Sequence, residues 1–167
     1  MLMTLLVRVG GWLVIALFVT AVAEYVGHRY PMHRPLGSSR LMRRRFEQHV
    51  LKHHRGVNSP EVMDLWPMTH FTWGAPLMIA VGAIDWVGAA ALACTFVCHA
   101  LLFVWLHRAI HEVETNWTQR IPFFHELKRH HLDHHLRPSF NFGLVFPWTD
   151  LLFRTKWNGS SADGLRS

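Results

Sequence analysis

The chain has 167 residues and a formal net charge of +6, and 50% of its residues are apolar while only 17% are charged. This length favours one domain, and the two cysteines, Cys94 and Cys98, are too few for a disulfide scaffold or an iron–sulfur centre. Because the Lys and Arg residues flank apolar segments instead of forming one recognition face, we expect no nucleic-acid partner.

The first predicted element is an apolar helix from about Val9 to Gly27, close to the ~20 residues that cross a bilayer. Only Arg8 precedes most of this stretch, and no small-residue cleavage site follows it before His28. These features predict a retained membrane helix rather than a cleaved signal peptide.

A basic stretch follows the first apolar helix. Its later part predicts a helix over residues 38–54, with Ser38 or Ser39 as the N-cap. The basic run from Arg40 to Arg45 is most simply explained as an anchor to anionic lipid at the membrane surface.

The next apolar region is about twice the length of a single span and predicts a helical hairpin over 68–83 and 86–107, with Asp85 in the turn. A later apolar patch over 140–153 contains Gly143 and Pro147 and is too short to span. We expect it to lie in the membrane interface or to cover a site. Residues 1–157 form one predicted domain, and 158–167 read as a disordered tail.

Three spans would place residues 28–65 and 107–167 on the same side of the membrane. Most Lys and Arg residues fall in these two segments, so the positive-inside rule predicts that this side is cytoplasmic. The predicted fold is therefore an all-α integral membrane protein, with about three transmembrane helices and a cytoplasmic, histidine-rich helical cap.

Histidine is the most informative residue type in this chain, since eleven of its 14 histidines fall into four clusters beside apolar segments. Neutral imidazole is the commonest protein metal ligand, and its nitrogen suits iron, zinc, copper and nickel. The clusters therefore predict a polyhistidine metal centre where the helices end. The candidate ligands are His28, His33, His49, His53, His54, His107, His111, His130, His131, His134 and His135.

The spacing within the clusters predicts which histidines share an ion. Residues four apart on an α-helix lie on one face, so we expect His49 and His53 to bind one ion, and His107 and His111 to do the same. The adjacent His54 points about 100° away around the helix and would reach a second ion.

The last cluster predicts a similar arrangement. His131, His134 and His135 are expected to face one way, and His130 to pair with His134 at four-residue spacing. All the clusters together offer more nitrogens than one ion can coordinate, so we expect two metal ions.

Other polar residues near the apolar segments have less specific interpretations. We expect His70 to lie in an aromatic belt at the membrane interface, and His99 to form an interhelical hydrogen bond. Carboxylates often orient ligating histidines, although a salt bridge to Arg is an equal alternative for Glu47 and Glu126. The candidate carboxylates are Glu24, Glu47, Glu112, Glu126, Asp133 and Asp150.

The ordered motifs EYVGHRYPMH (24–33), HVLKHH (49–54), WLHRAIH (105–111) and HHLDHH (130–135) resemble those of the fatty acid hydroxylase/sterol desaturase superfamily of membrane di-iron enzymes. The similarity runs from about residue 24 to 155 and includes NFG at 141–143 and TDLLFRT at 149–155. The resemblance implies that the clustered histidines hold two iron ions, with zinc as a substitute in isolated protein, and that His130 matches a frequent extra histidine.

The resemblance also implies an O2-dependent hydroxylase or desaturase that acts on a fatty acyl or sterol-like lipid. The chain leaves no room for a fused cytochrome b5 domain, so an external donor such as a ferredoxin or a cytochrome b5-type protein is expected to supply electrons. Small carotenoid β-ring hydroxylases are similar too, and carotenoid hydroxylation is an alternative. A non-catalytic, metal-stabilised membrane protein is another, whereas a transporter would place its ligands at the bilayer midplane.

Overall fold

The computed structural model describes residues 2–34, 37–56, 68–112 and 117–159, with the side chains of 68–73 left out. These ranges are helical and contain no strand, which confirms the predicted all-α class. The predicted tail lies outside the described residues, apart from its first two positions. The α-helices are α1 (Leu2–Gly27), α2 (Arg40–Phe46), α3 (Met68–Gly82), α4 (Trp86–His111), α5 (Phe124–Leu136) and α6 (Trp148–Leu152).

Three short non-α segments interrupt the helices near the histidine clusters. A π-helix over His28–Met32 continues α1, a second over Glu47–Lys52 continues α2, and a 3₁₀ turn over His53–Arg55 follows it. The helix predicted over 38–54 is therefore confirmed as helical from Arg40 onward, although its second half is π-helical and 3₁₀ and not α-helical. Ser39 does occupy the N-cap position of α2, but its side chain forms no capping hydrogen bond.

Helices α1 and α4 pack side by side and run in the same direction. At their start, the Arg8 guanidinium and the Trp12 indole N–H both donate to the carboxylate of Asp85, the N-cap residue of α4. The contact is close because Gly88 lacks a side chain: a Cβ there would lie 2.6 Å from the Trp12 ring. Both helices therefore reach the histidine clusters at their far ends.

Two helical stretches, Leu2–Met32 and Trp86–His111, have the length and apolar composition of membrane spans. Helix α3 has 15 residues, fewer than the ~20 that a span needs. Two of the three predicted spans are thus supported by length and composition, and the third stays a prediction.

The segment after α5 folds back against the end of α1. The Trp148 ring stacks on Phe18 and the Phe153 ring stacks on Tyr25, so α6 lies along α1. Leu144, from the same segment, is buried with Phe103 of α4 in a core cluster. The segment after α5 therefore packs against both α1 and α4 next to the histidine clusters.

Candidate metal centre

Ten of the eleven predicted ligands converge into two groups of five imidazoles. Within each group the five candidate ligand nitrogens all lie within 4.8 Å of one another. The structure does not bring His130 into either group. Site 1 consists of His28, His33, His49, His54 and His134, and site 2 consists of His53, His107, His111, His131 and His135.

The two π-helices explain the ligand spacing in site 1. A π-helix closes i→i+5 hydrogen bonds and therefore brings residues five apart onto one side. His28 and His33 are five apart across the first π-helix, and His49 and His54 are five apart across the second. The prediction that His49 and His53 bind one ion is wrong for this reason, since His53 belongs to site 2.

Helix α5 supplies both sites. His131 and His135 are four residues apart on this α-helix and both belong to site 2, as His107 and His111 of α4 do. His134 points about 100° away from His135 and belongs to site 1. The prediction that His131, His134 and His135 face one way is therefore wrong for His134, whereas the predicted pair in α4 is confirmed as one group.

The two sites lie against each other. The ring of His54 in site 1 stacks on the ring of His135 in site 2, with centroids 4.4 Å apart. Two chain segments, residues 47–55 and α5, contribute ligands to both sites. The two groups of imidazoles therefore form one continuous cluster.

The separations between ligand nitrogens test whether the groups fit a metal. Neighbouring Nε2 atoms are 2.9–3.1 Å apart, for example His28 and His49 in site 1 and His53 and His107 in site 2. In site 1 the Nδ1–H groups of His28 and His134 donate to backbone carbonyls, so three Nε2 protons remain for the four Nε2–Nε2 contacts that join the five rings. A central cation that accepts all five lone pairs removes this conflict, so the donor sets fit metal ions.

In two of the ligand histidines, the ring nitrogen that faces away from the site carries the proton, so the lone pair of the other nitrogen points into the site. The Nδ1–H of His28 donates to the carbonyl of Phe142 at 2.5 Å, and the Nδ1–H of His134 donates to the carbonyl of Phe140 at 2.6 Å. A carbonyl only accepts, so each ring carries its proton on Nδ1 and presents an unprotonated Nε2 to site 1.

A comparison with known protein families agrees with this geometry. The family model described as fatty acid hydroxylase matches residues 13–155, which include all ten converging histidines. The chain belongs to the fatty acid hydroxylase family. No curated protein and no solved structure matches it.

In this member of the fatty acid hydroxylase family, two buried carboxylates hold the loop that orients the ligands. Asp150 accepts from the backbone N–H groups of Phe142 and Gly143, each at 2.8 Å. Glu24 accepts from those of Leu144 and Val145, at 2.5 and 2.9 Å. Both carboxylates are among the residues predicted near the centre, whereas the carbonyls that contact the ligands have no signal in the sequence.

Two further histidines bind these carboxylates and not the sites. His99 donates from Nε2 to Glu24 at 2.7 Å, which confirms the predicted interhelical hydrogen bond. His130 donates from Nε2 to Asp150 at 3.0 Å, so its predicted pairing with His134 is wrong. His125 is exposed and lies in neither site.

The remaining candidate carboxylates contribute less to the site. Glu47 forms an ion pair with Arg43, and Asp133 forms one with Arg137. Neither carboxylate belongs to either group of ligands, and the described parts of both groups consist of imidazoles alone. The side chain of His70 lies outside the described residues.

Burial keeps the ligand imidazoles neutral. It lowers the pKa of His54 to about 4 and the pKa values of His33 and His135 to about 2, with neighbouring imidazoles adding to the effect. The pKa of the buried His134 is also lowered well below its ordinary value. A metal ion therefore meets neutral ligands at neutral pH and displaces no proton from these rings.

Proposed function

We propose that this protein is a membrane di-iron oxygenase that hydroxylates or desaturates a C–H bond of a fatty acyl or sterol-like lipid. The observation that carries the proposal is the convergence of ten histidines into two adjacent five-nitrogen groups in a member of the fatty acid hydroxylase family. Hydroxylation would consume one O2, two electrons and two protons, and would yield one hydroxyl group and one water.

The nitrogen separations favour an ion with an open position. With metal–nitrogen bonds of about 2.1 Å, neighbouring ligands at right angles lie about 3.0 Å apart, whereas tetrahedral neighbours lie about 3.4 Å apart. The observed 2.9–3.1 Å matches the first arrangement. Five ligands at right angles leave a sixth position free, which disfavours a closed, purely structural zinc site.

Iron bound in these sites would activate O2 for attack on a C–H bond. The contribution of the chain is to hold the ligands and to limit water. Six of the ten ligand side chains are buried, and the apolar side chains of Phe103 and Phe142 lie against His107 and His28. A dry site protects reactive species from side reactions with water.

We also propose that α1 and α4 cross the membrane and that the metal centre lies on its cytoplasmic side. The segments beside the centre carry most of the Lys and Arg residues, whereas the opposite end has the Arg8–Asp85 ion pair. Maleimide labelling of R44C and I84C in a C94A/C98A background tests the orientation. Labelling of both positions from the same side would contradict it.

An external donor would dock on the basic groove beside site 1. This groove, of about 340 Å³, is lined by Arg40, Arg43, Arg44 and Lys52, together with Glu47 and Gln48. Four cations against one carboxylate leave it basic. Its charge complements an acidic carrier such as a ferredoxin or a cytochrome b5-type protein. We expect R43E/R44E to raise the carrier concentration needed for turnover, and added salt to do the same. The exposed R120E, which lies outside this groove, is the charge-reversal control.

Product analysis tests the reaction. Purified protein in lipid, supplied with iron, reductant and carrier, should convert a lipid to a product with one added oxygen or two fewer hydrogens, and only when O2 is present. H134A and H131A should abolish this conversion, whereas H125A should retain it. Turnover without O2 would refute the oxygenase proposal, and a bound metal without any lipid product would favour the non-catalytic alternative.

A further inference from the structure

Helix α1 provides a scale for depth along the proposed membrane span. Arg8, paired with Asp85, marks one end, and His28 lies 20 residues further along the same helix. At a rise of 1.5 Å per residue this separation is about 30 Å, the thickness of the hydrocarbon core. Phe18, midway between Arg8 and His28, therefore lies near the middle of the bilayer.

The segment after α5 descends along this scale. Its first contacts are at the top, where the Phe142 carbonyl meets His28. One turn lower, the Leu144 N–H meets Glu24. The Phe146 ring then stacks on His99, which hydrogen-bonds to Glu24 from the other side.

The segment reaches its lowest point at α6 and then returns. Trp148 stacks on Phe18, at the middle of the scale. Phe153 stacks on Tyr25, and the Thr155 hydroxyl donates to the Tyr25 hydroxyl at 3.1 Å. The chain thus enters and leaves on the side of the metal centre.

Hydrogen bonds close the neck of this excursion. The Asn141 N–H donates to the Thr155 carbonyl at 2.9 Å, and the Trp157 N–H donates to the Asn141 side-chain oxygen at 2.8 Å. The side-chain amide of Asn141 also donates to the carbonyl of His130 on α5, at 3.1 Å. The two ends of the segment are therefore fixed to each other and to the metal-binding helix.

Several backbone N–H groups inside the excursion are satisfied from within the protein. Four consecutive N–H groups, those of residues 142–145, donate to the buried carboxylates of Asp150 and Glu24. The Thr149 N–H donates to the Phe146 carbonyl. Non-helical backbone at membrane depth requires such internal partners, since hydrocarbon offers none.

The outer face of the segment is apolar and open at its lower end, whereas the exposed Arg154 lies higher, beside the Thr155–Tyr25 contact, and can extend toward the headgroups. Leu151 and Leu152 are 60% and 53% exposed, and Trp148 and Phe153 are also exposed. This face continues the exposed apolar surface of α1 around Phe18. An exposed apolar patch of this kind on a soluble surface would be a site of association.

We propose that residues 140–157 form a re-entrant element that inserts into the bilayer beside α1, with its outer face against lipid acyl chains. The inference rests on the membrane span of α1 in the proposed function. A neighbouring groove of about 450 Å³ runs from Trp148 and Leu151 to Arg129 and Lys156, and Glu126 and Asp133 also line it. The groove therefore connects the apolar face to charged residues that lipid headgroups can contact.

Site-directed spin labelling in a C94A/C98A background tests the proposal on metal-loaded protein in phosphatidylcholine vesicles. Labels at L151C and, independently, L152C should collide with O2 and lose collisions with a water-soluble nickel chelate, as the α1 control L17C does. The aqueous control R44C should show the opposite pattern. Retained metal stoichiometry verifies the fold of each variant.

The controls distinguish failure of the re-entrant element from failure of the proposed membrane span of α1. Water-exposed labels at 151 and 152 together with a lipid-exposed label at 17 would overturn the re-entrant element and leave the membrane span intact. A water-exposed label at 17 would overturn the span itself. Spin–spin broadening at 151 that disappears on dilution with unlabelled protein would show a second copy on this face, and would overturn the assignment to lipid.

Discussion

His28 and Phe142 are joined by a hydrogen bond in which the imidazole Nδ1–H donates to the backbone carbonyl at 2.5 Å, across 114 positions of the sequence. The bond fixes the tautomer of His28 and aims its other nitrogen at site 1. Because Asp150 in turn holds the Phe142 N–H, the orientation of a ligand depends on a carboxylate that contacts no ligand of either site directly.

Asp150→Asn should weaken metal binding at site 1. The Asp150 carboxylate accepts from two backbone N–H groups, one at each oxygen. The side-chain amide of Asn can accept from only one of them and turns its NH2 group toward the other, so the loop and its carbonyls shift. Loss of such an outer contact typically lowers metal affinity about 10–100-fold. Chelator competition measures the change. Asp133→Asn, on the half-exposed face of α5, is the control and should bind normally; equal affinities in both variants would refute the chain of contacts.

Replacement of two adjacent histidines on α5 should affect the metal content differently. His131→Ala removes a ligand of site 2 and should lose the metal of that site, whereas His130→Ala removes only a partner of Asp150 and should keep both metals. Metal analysis of the two purified variants is the measurement. Equal loss of metal from both would place His130 in the centre after all.

Gly143→Ala should lower the melting temperature. A Cβ at this position would lie 2.5 Å from the Phe146 carbonyl oxygen and 2.6 Å from the Thr149 hydroxyl oxygen, so the loop must move. Overpacking of this kind costs about 1–3 kcal/mol. Gly11→Ala is the matched control, since nothing lies within 4 Å of its Cβ. Equal melting temperatures for the two variants would contradict the close approach.

The metal-free protein should lose stability as the pH falls below about 6.5. Burial lowers the pKa of His54 from 6.5 to about 4, and those of His33 and His135 to about 2, so the unfolded chain binds more protons in this range. The free energy of unfolding is therefore highest above pH 6.5 and decreases toward pH 4.

Thermal melts of metal-free protein at pH 7, 6 and 5 measure this dependence. The metal-loaded protein should show a smaller decrease, because bound ions keep the imidazoles neutral until protons displace them. His54→Gln should make the melting temperature of the metal-free protein depend less steeply on pH. A melting temperature that does not change between pH 7 and 5 would show that burial does not hold these rings neutral.

The sequence predicted which histidines converge but not how they divide between site 1 and site 2. Repeated imidazoles beside apolar helices are visible in the sequence, and ten of the eleven candidates do converge. Assignment to sites failed where it assumed α-helical spacing. The π-helix over Glu47–Lys52 places His49 with His54, and no residue pattern in the sequence indicates this change from α-helical to π-helical spacing.

The contacts behind His28 and His134 were harder to predict, because both come from the backbone. The carbonyls of Phe140 and Phe142 carry no side-chain signal, and their position depends on Asp150 and Glu24, which bind the same loop from opposite ends of the chain. The apolar patch over 140–153 was recognised as too short to span. Its descent along α1 depends on tertiary stacking of Trp148 and Phe153 that periodicity does not encode.

The sharing of α5 between the two sites determines when the centre can form during biosynthesis. Site 1 takes one ligand and site 2 takes two from residues 131–135, and the carbonyls that orient site 1 follow at 140 and 142. A nascent chain that has emerged only through α4 holds neither complete set. Both sets of ligands are therefore complete only after α5 and the loop that follows it have left the ribosome.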